Sequence, residues 1–319
     1  MNTPPDHSVT TPDRAATPHW KAQAERSNAF WVQLLARLAL FFGRTFILGL
    51  LHPIVLYFFL TGGSAKNASR EALFRFTGKQ PSQWAIFRHL YTFALVAVDR
   101  IFLLAGRTQL FDVTLHGEEI FTRLRSSGRG CILLVSHAGS FDVMRVPATR
   151  EQQLPMKILM DKHHNGVAMA LINSLDPQLA SQVIDARQPA AALALQLKEE
   201  IDHGAMIGIM ADRAGPGEET VHVPFAGGFA DFPIGPWMLA WVLQVPVVFC
   251  FGLYRGGNRY EIHFEELTAP LHGKRSQRRA IVQAAVAHFA ARLQHHVARA
   301  PFNWFNFYSF WHDETPADH

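Results

Sequence analysis

Cysteine is nearly absent from this chain: there are 2 in 319 residues, Cys131 and Cys250, each inside an apolar, strand-like run. This excludes a disulfide framework and a cysteine-built metal site, and predicts buried free thiols in a reducing compartment. Charge is also scarce, 18% against 49% hydrophobic residues, and Lys and Arg never gather into a dense run, which argues against nucleic acid as a partner. No uninterrupted apolar run reaches the roughly 20 residues a simple membrane span needs. Thr45 to Leu60 comes nearest, and His52 and Pro53 interrupt it. A Gly-x-Ser-x-Gly elbow is missing, so Ser136 and Ser140 read as turn residues rather than nucleophiles. His163-His164 and His295-His296 have no Cys or His-x3-His partner, and no metal is expected.

What is abundant is large and apolar. With 25 Phe and 7 Trp, the chain has more bulky side chains than one core of this size requires, which suggests contact with lipid or an acyl chain. Residues 1–130 carry 15 Lys/Arg against 8 Asp/Glu, whereas the remainder carries 15 against 18; a basic front half suits an anionic membrane surface. Residues 1–26, rich in Pro, Thr and Ala, read as a disordered tail. Residues 27–60 read as a membrane-anchoring helical segment or re-entrant pair whose Arg37 and Arg44 can snorkel to headgroups, with a buried core helix as the alternative. Residues 61–319 read as one domain.

Within it, residues 67–105 look helical, with Ser69 as a cap. Short strands at 157–160, 182–184, 205–210, 245–250 and 260–264 then alternate with helices at 166–175, 190–203, 236–243 and 276–297. That alternation predicts an α/β fold with a mixed, largely parallel central sheet flanked by helices.

The chemistry centres on Cys131-Ile-Leu-Leu-Val-Ser-His137-Ala-Gly-Ser-Phe-Asp142-Val-Met-Arg145. A buried strand ends, and a histidine, a small-residue turn, a carboxylate and an arginine follow. In open α/β sheets reactive groups gather beyond the carboxyl ends of strands. On a regular helix His137 and Asp142 would point roughly 140° apart. They are expected to meet with His137 on the turn before a helix and Asp142 in its first turn. Asp142 would then fix the imidazole tautomer while the other nitrogen takes a proton from a hydroxyl attacking a thioester. A capped helix with a hydrogen-bonded histidine is the plainer alternative.

Arg145 is a candidate phosphate contact or a surface cation. Asp212-Arg213 ends an apolar strand and enters a Gly-rich loop, as a site element or a structural ion pair. His163 is a candidate substrate contact, and residues 225–236 are a candidate acyl-groove wall or core edge. The aromatic run from Trp304 to Trp311 is expected to dock on the bilayer or on the anchor helices, with core packing as the alternative.

The His137-x4-Asp142 element resembles the signature of the glycerolipid and lipid A acyltransferase superfamily. Ala68-Ser-Arg70, Arg88-His89, Val98-Asp99-Arg100, Asp212-Arg213, Val223-Pro-Phe-Ala-Gly227 and Phe232-Pro-Ile-Gly-Pro236 resemble blocks of the late, lauroyl and myristoyl, lipid A enzymes. Many of those read His-x-Gly-Asn-Trp-Glu, where this chain keeps Gly139 but has Ser140, Phe141 and Asp142. The ending 301–311 looks more like acyltransferases of aryl polyene pathways. The resemblance implies an O-acyltransferase with a His137-Asp142 dyad and a site-organising or acceptor-binding Asp212-Arg213. It also implies acyl carrier protein or acyl-CoA as donor, a membrane glycolipid as acceptor and no cofactor. The implied location is the bacterial inner membrane, with the catalytic domain facing the cytoplasm. The competing readings are a thioesterase or lipase-like hydrolase and an inactive membrane lipid-binding protein.

Overall fold

The computed structural model describes residues 29–144, 146, 155–215 and 217–312; the expected tail at 1–26 lies outside them. Four helices lead: α1 (Ala29–Phe42), α2 (Arg44–Thr61), α3 (Gly63–Thr77) and α4 (Gln83–Leu104). Then come β1 (Asp112–His116), α5 (Glu118–Ser126), β2 (Cys131–Val135), β3 (Met156–Met160), α6 (Gly166–Leu175), α7 (Pro177–Ser181), β4 (Val183–Asp185), α8 (Ala190–Asp202) and β5 (Met206–Met210). The chain continues through β6 (Thr220–Phe225), β7 (Gly228–Pro233), α9 (Gly235–Leu243), β8 (Val247–Gly256), β9 (Arg259–Thr268) and α10 (Arg278–Arg299).

Seven strands form one sheet in the order β1-β9-β8-β2-β5-β3-β4. The strands from β8 to β4 are mutually parallel, while β9 runs antiparallel to β8 and carries β1 parallel to itself. The mixed, largely parallel sheet expected from the sequence is therefore present. β2 is fully buried because both its faces are covered: Ile132 and Leu134 join one core, Cys131, Leu133 and Val135 the other.

The α2 helix runs through Pro53 and is long and apolar enough to cross a membrane by length and composition. It nevertheless packs on the sheet domain. Ile47 and Leu51 of α2, with Ala36 and Ala39 of α1, share a core with Leu133 and Val248. Arg44 holds Asp99 through Nε and Nη2 at 2.7 and 2.9 Å, and Tyr260 donates to the same carboxylate at 2.7 Å. This ties α2 to α4 and β9.

Three expectations change. Ser69 is no cap: α3 already begins at Gly63, and the hydroxyl is buried against His89. The hairpin β6–β7 and strand β1 were not foreseen. The 301–311 run does not face outward throughout. Trp304, Phe310 and Trp311 are buried, packed around Phe76 of α3 and Phe225 of β6 mostly edge to face, where they fill the space between the hairpin and α3.

His89 links that segment to α3. Its Nε2–H donates to the Trp304 carbonyl at 2.7 Å, so Nδ1 accepts from the Ser69 hydroxyl at 2.9 Å. Burial pushes this imidazole down to about 4, against the weaker opposing pull of the Trp304 bond. The folded chain thus refuses a proton that the unfolded chain accepts below its ordinary 6.5. Stability contributed by neutral His89 is complete above pH 6.5 and falls as pH drops toward 4, by about 3 kcal/mol over the window. Denaturant titrations at pH 7 and 4.5 should show this loss, reduced in His89→Gln; an equal loss in the variant would reject the assignment.

Candidate active site

His137 lies just beyond the carboxyl end of β2, and Asp212 just beyond the carboxyl end of its neighbour β5. Parallel pairing brings the two strand ends level, since Val135 lies opposite Met210. Asp212, fully buried, accepts from the His137 ring at Nδ1 (2.9 Å to Oδ1) and from the His137 main-chain N–H (3.0 Å to Oδ2). Burial alone would raise the Asp212 carboxyl. The His137 charge and hydrogen bonds, with Arg213, outweigh it and hold the group below the ordinary carboxylate value. The Nδ1 side is fixed, and Nε2 has no protein partner among the described residues.

The carboxylate that meets His137 is thus Asp212, not Asp142. The reason lies in the intervening turn. Ala138 bridges Trp304 and Gly139 bridges Gly252, so the backbone is drawn toward β8 instead of curling back on the histidine. Gly139 has φ +71, and a Cβ there would lie 1.9 Å from the Gly252 carbonyl oxygen; only glycine allows this approach. Asp142 then opens a short 3-10 turn, Asp142–Met144, and its carboxylate pairs with Arg100 of α4 at 3.1 Å. His137 does lie outside any helix and Asp142 in a first helical turn, as the spacing predicted, but they do not bond.

His137 and the Asp142–Arg100 pair border one cavity of about 510 Å³, lined mainly by apolar side chains such as Phe93, Ile158, Met160 and Phe307. His137, Asp142, Arg100, Arg213 and Tyr308 are its charged or titratable lining groups. Arg213 donates to the Phe305 carbonyl and lies over the Tyr308 ring, 5.4 Å from its centroid. The Phe305 N–H in turn donates to the His137 carbonyl at 3.0 Å. The aromatic C-terminal segment therefore braces the histidine from behind. Ser140, 3% exposed, belongs to the same lining, and its buried hydroxyl has no hydrogen-bond partner among the described residues.

The other candidates are dispersed. His163 sits on an exposed turn whose backbone N–H bonds Asp161, outside the cavity lining. Arg145 lies outside the described residues. Phe225 and Phe232 are core residues, so the 225–236 segment is core edge, not groove wall. Arg100 went unassigned although its signal was visible: Asp99 and Arg100 are adjacent charges in the apolar second half of α4, and such charges are retained when each has a partner.

The sequence pattern described as bacterial lipid A biosynthesis acyltransferase matches residues 89–313 of this chain. No curated protein matches it. Among solved structures, it is similar to the 1-acyl-sn-glycerophosphate (LPA) acyltransferase PlsC from Thermotoga maritima, at 16% identity and a TM-score of 0.36, covering 84% of this chain and 98% of that one.

Proposed function

Because the chain belongs to the bacterial lipid A biosynthesis acyltransferase family, we propose that it moves a fatty acyl group from an acyl thioester to a hydroxyl of a membrane glycolipid. The observation that carries this reading is the His137 ring, with Nδ1 held by buried Asp212 and Nε2 open to an apolar cavity. Nε2 takes the proton of the acceptor hydroxyl as its oxygen attacks the thioester carbonyl. The tetrahedral intermediate collapses, the C–S bond breaks, and the imidazolium returns the proton to the departing thiolate. The products are an ester and a free thiol.

The Ser140 hydroxyl, buried and unpartnered, is the side-chain donor we assign to the oxyanion. The apolar wall holds the acyl chain. Asp142 acts by holding Arg100 at the cavity, where that cation and Arg213 receive polar or phosphate groups of the substrates. Arg145 and His163 are assigned to substrate binding. Acyl carrier protein, or acyl-CoA, supplies the thioester.

For location, the support is the outer face of the leading helices. Phe41, Phe42, Phe46, Leu50, Ile54 and Tyr57 are exposed, while the opposite face of α2 is fastened to α4 and β9. Such a one-sided apolar surface favours lying in the membrane interface, and we assign it to the inner membrane with the catalytic domain on the cytoplasmic side.

The test is product analysis with labelled acyl thioester and total membrane lipid. Label should appear esterified in a lipid that is also missing one acyl group in a deletion strain, and His137→Ala should abolish the transfer while leaving the fold intact. Free fatty acid as the sole product, with an unchanged lipid profile in the deletion strain, would replace transfer by hydrolysis.

A further inference from the structure

Away from the cavity, β1 and β9 run side by side with His116 directly opposite His263. Their rings stack at 4.5 Å between centroids and 15° between planes. Glu261 stands two residues before His263 on β9, hence on the same sheet face. One ligand atom from each of the three lies within 4.8 Å of the others. None of them borders the acyl cavity.

The arrangement is braced. Phe251 of β8 stacks on His263 at 5.1 Å and 11°, making a ring ladder across three strands. Behind His116, Gly117 has φ +86, and a Cβ there would come within 2.4 Å of the Phe264 carbonyl oxygen, so the end of β1 is pinned to β9. The chemistry is incomplete without a ligand. His263 Nε2 is buried without a hydrogen bond, its nearest carboxylate oxygen being Glu261 Oε2 at 3.5 Å. Arg255 takes that same oxygen at 2.8 Å, and Oε1 has no protein partner among the described residues.

We propose that His116, Glu261 and His263 form a binding site for a divalent transition metal of the zinc class, with a fourth position open to water. Two imidazoles and a carboxylate suit zinc, cobalt or nickel, whereas calcium and magnesium favour all-oxygen sets. Ligand atoms around a tetrahedral metal at about 2.1 Å stand roughly 3.4 Å apart. The stacked rings hold their nitrogen lone pairs in nearly parallel planes, so closure asks the exposed His116 ring to rotate out of the stack and turn a nitrogen toward His263 and Glu261. A bound ion would clamp the edge strand β1 to β9 and satisfy the orphaned Nε2.

Untagged, metal-stripped protein would be titrated with Zn²⁺ by calorimetry and with Co²⁺ by visible absorption. One saturable equivalent is expected, with ligand-field bands for Co²⁺ and a higher melting temperature with Zn²⁺. His116→Asn, His263→Ala and Glu261→Gln should each weaken binding by at least about tenfold. His116→Asn and Glu261→Gln alter side chains reaching solvent, so circular dichroism can confirm their fold. Double variants at His163-His164 and His295-His296 should keep the site. Binding that survives all three substitutions, or no saturable binding to the folded wild type at about 1 mM metal, far weaker than structural zinc, would overturn the proposal.

Discussion

Asp212→Asn should lower the transfer rate by about 10²–10⁴-fold, the range of general acid–base contributions, and change the pH–rate profile, with the variant still folded. Asp212 accepts from two donors on His137, the ring Nδ1–H and the main-chain N–H. Asparagine keeps the shape but has one acceptor oxygen. If the oxygen faces the main chain, the amide N–H meets the ring, and the imidazole must present a lone pair at Nδ1 and carry its proton on Nε2. The base is then blocked by its own proton. The alternative orientation leaves a buried N–H without a partner. Asp142→Asn leaves both bonds in place and should keep the wild-type pH profile whatever it does to the rate through Arg100. Steady-state rates of the two variants across pH decide the matter. A profile altered by Asp142→Asn and not by Asp212→Asn would return the orienting role to Asp142.

Arg44→Ala is expected to destabilise the protein by about 3–5 kcal/mol, the cost of leaving a buried charge without its partner. Asp99 is fully buried and held by two Arg44 bonds and one from Tyr260. Burial already raises the Asp99 carboxyl, and the Arg44 and Tyr260 bonds oppose that rise. Without the guanidinium the cost rises, and the α2 helix loses its polar fastening to α4 and β9. Replacing the set with apolar residues should recover much of the loss, because the charges are costly to bury. Denaturation of Arg44→Ala beside an Arg44→Met, Asp99→Leu, Tyr260→Phe triple variant, which leaves no buried hydroxyl without its acceptor, measures both. A single-variant loss under about 1 kcal/mol, typical of exposed pairs, would show that the network adds little.

Local chemistry made a good part of this protein legible. The apolar runs around Ile132, Ile207 and Val248 read as buried strands because nothing polar interrupts them, and all three lie in the sheet. The helix beginning near Trp84 is readable from its period, and Ser82 caps it through the Ala85 N–H. The hairpin was hidden because Thr220, His222 and Pro224 alternate with Val221, Val223 and Phe225 in a stretch whose glycines and prolines read as loop. The final aromatic cluster carried no sign of whether lipid or protein would cover it. Its fate was set by Trp304 bridging Ala138 and meeting Phe76 edge to face.

The candidate site divides the same way. The sequence by itself determined that a histidine would stand at a strand end with a carboxylate close behind, and that Asp212-Arg213 would stand at another strand end. Which carboxylate holds the histidine was decided only by tertiary structure. Strand order is a lateral property: β2 and β5 are neighbours across the sheet, with β3, α6, α7, β4 and α8 between them in the chain. Parallel register then lifts Asp212 level with His137, while the close Gly139–Gly252 approach turns Asp142 away toward Arg100. The element His137-x4-Asp142 thus supplies a base and a cation-holding acid, and the buried partner of the base comes from the neighbouring strand.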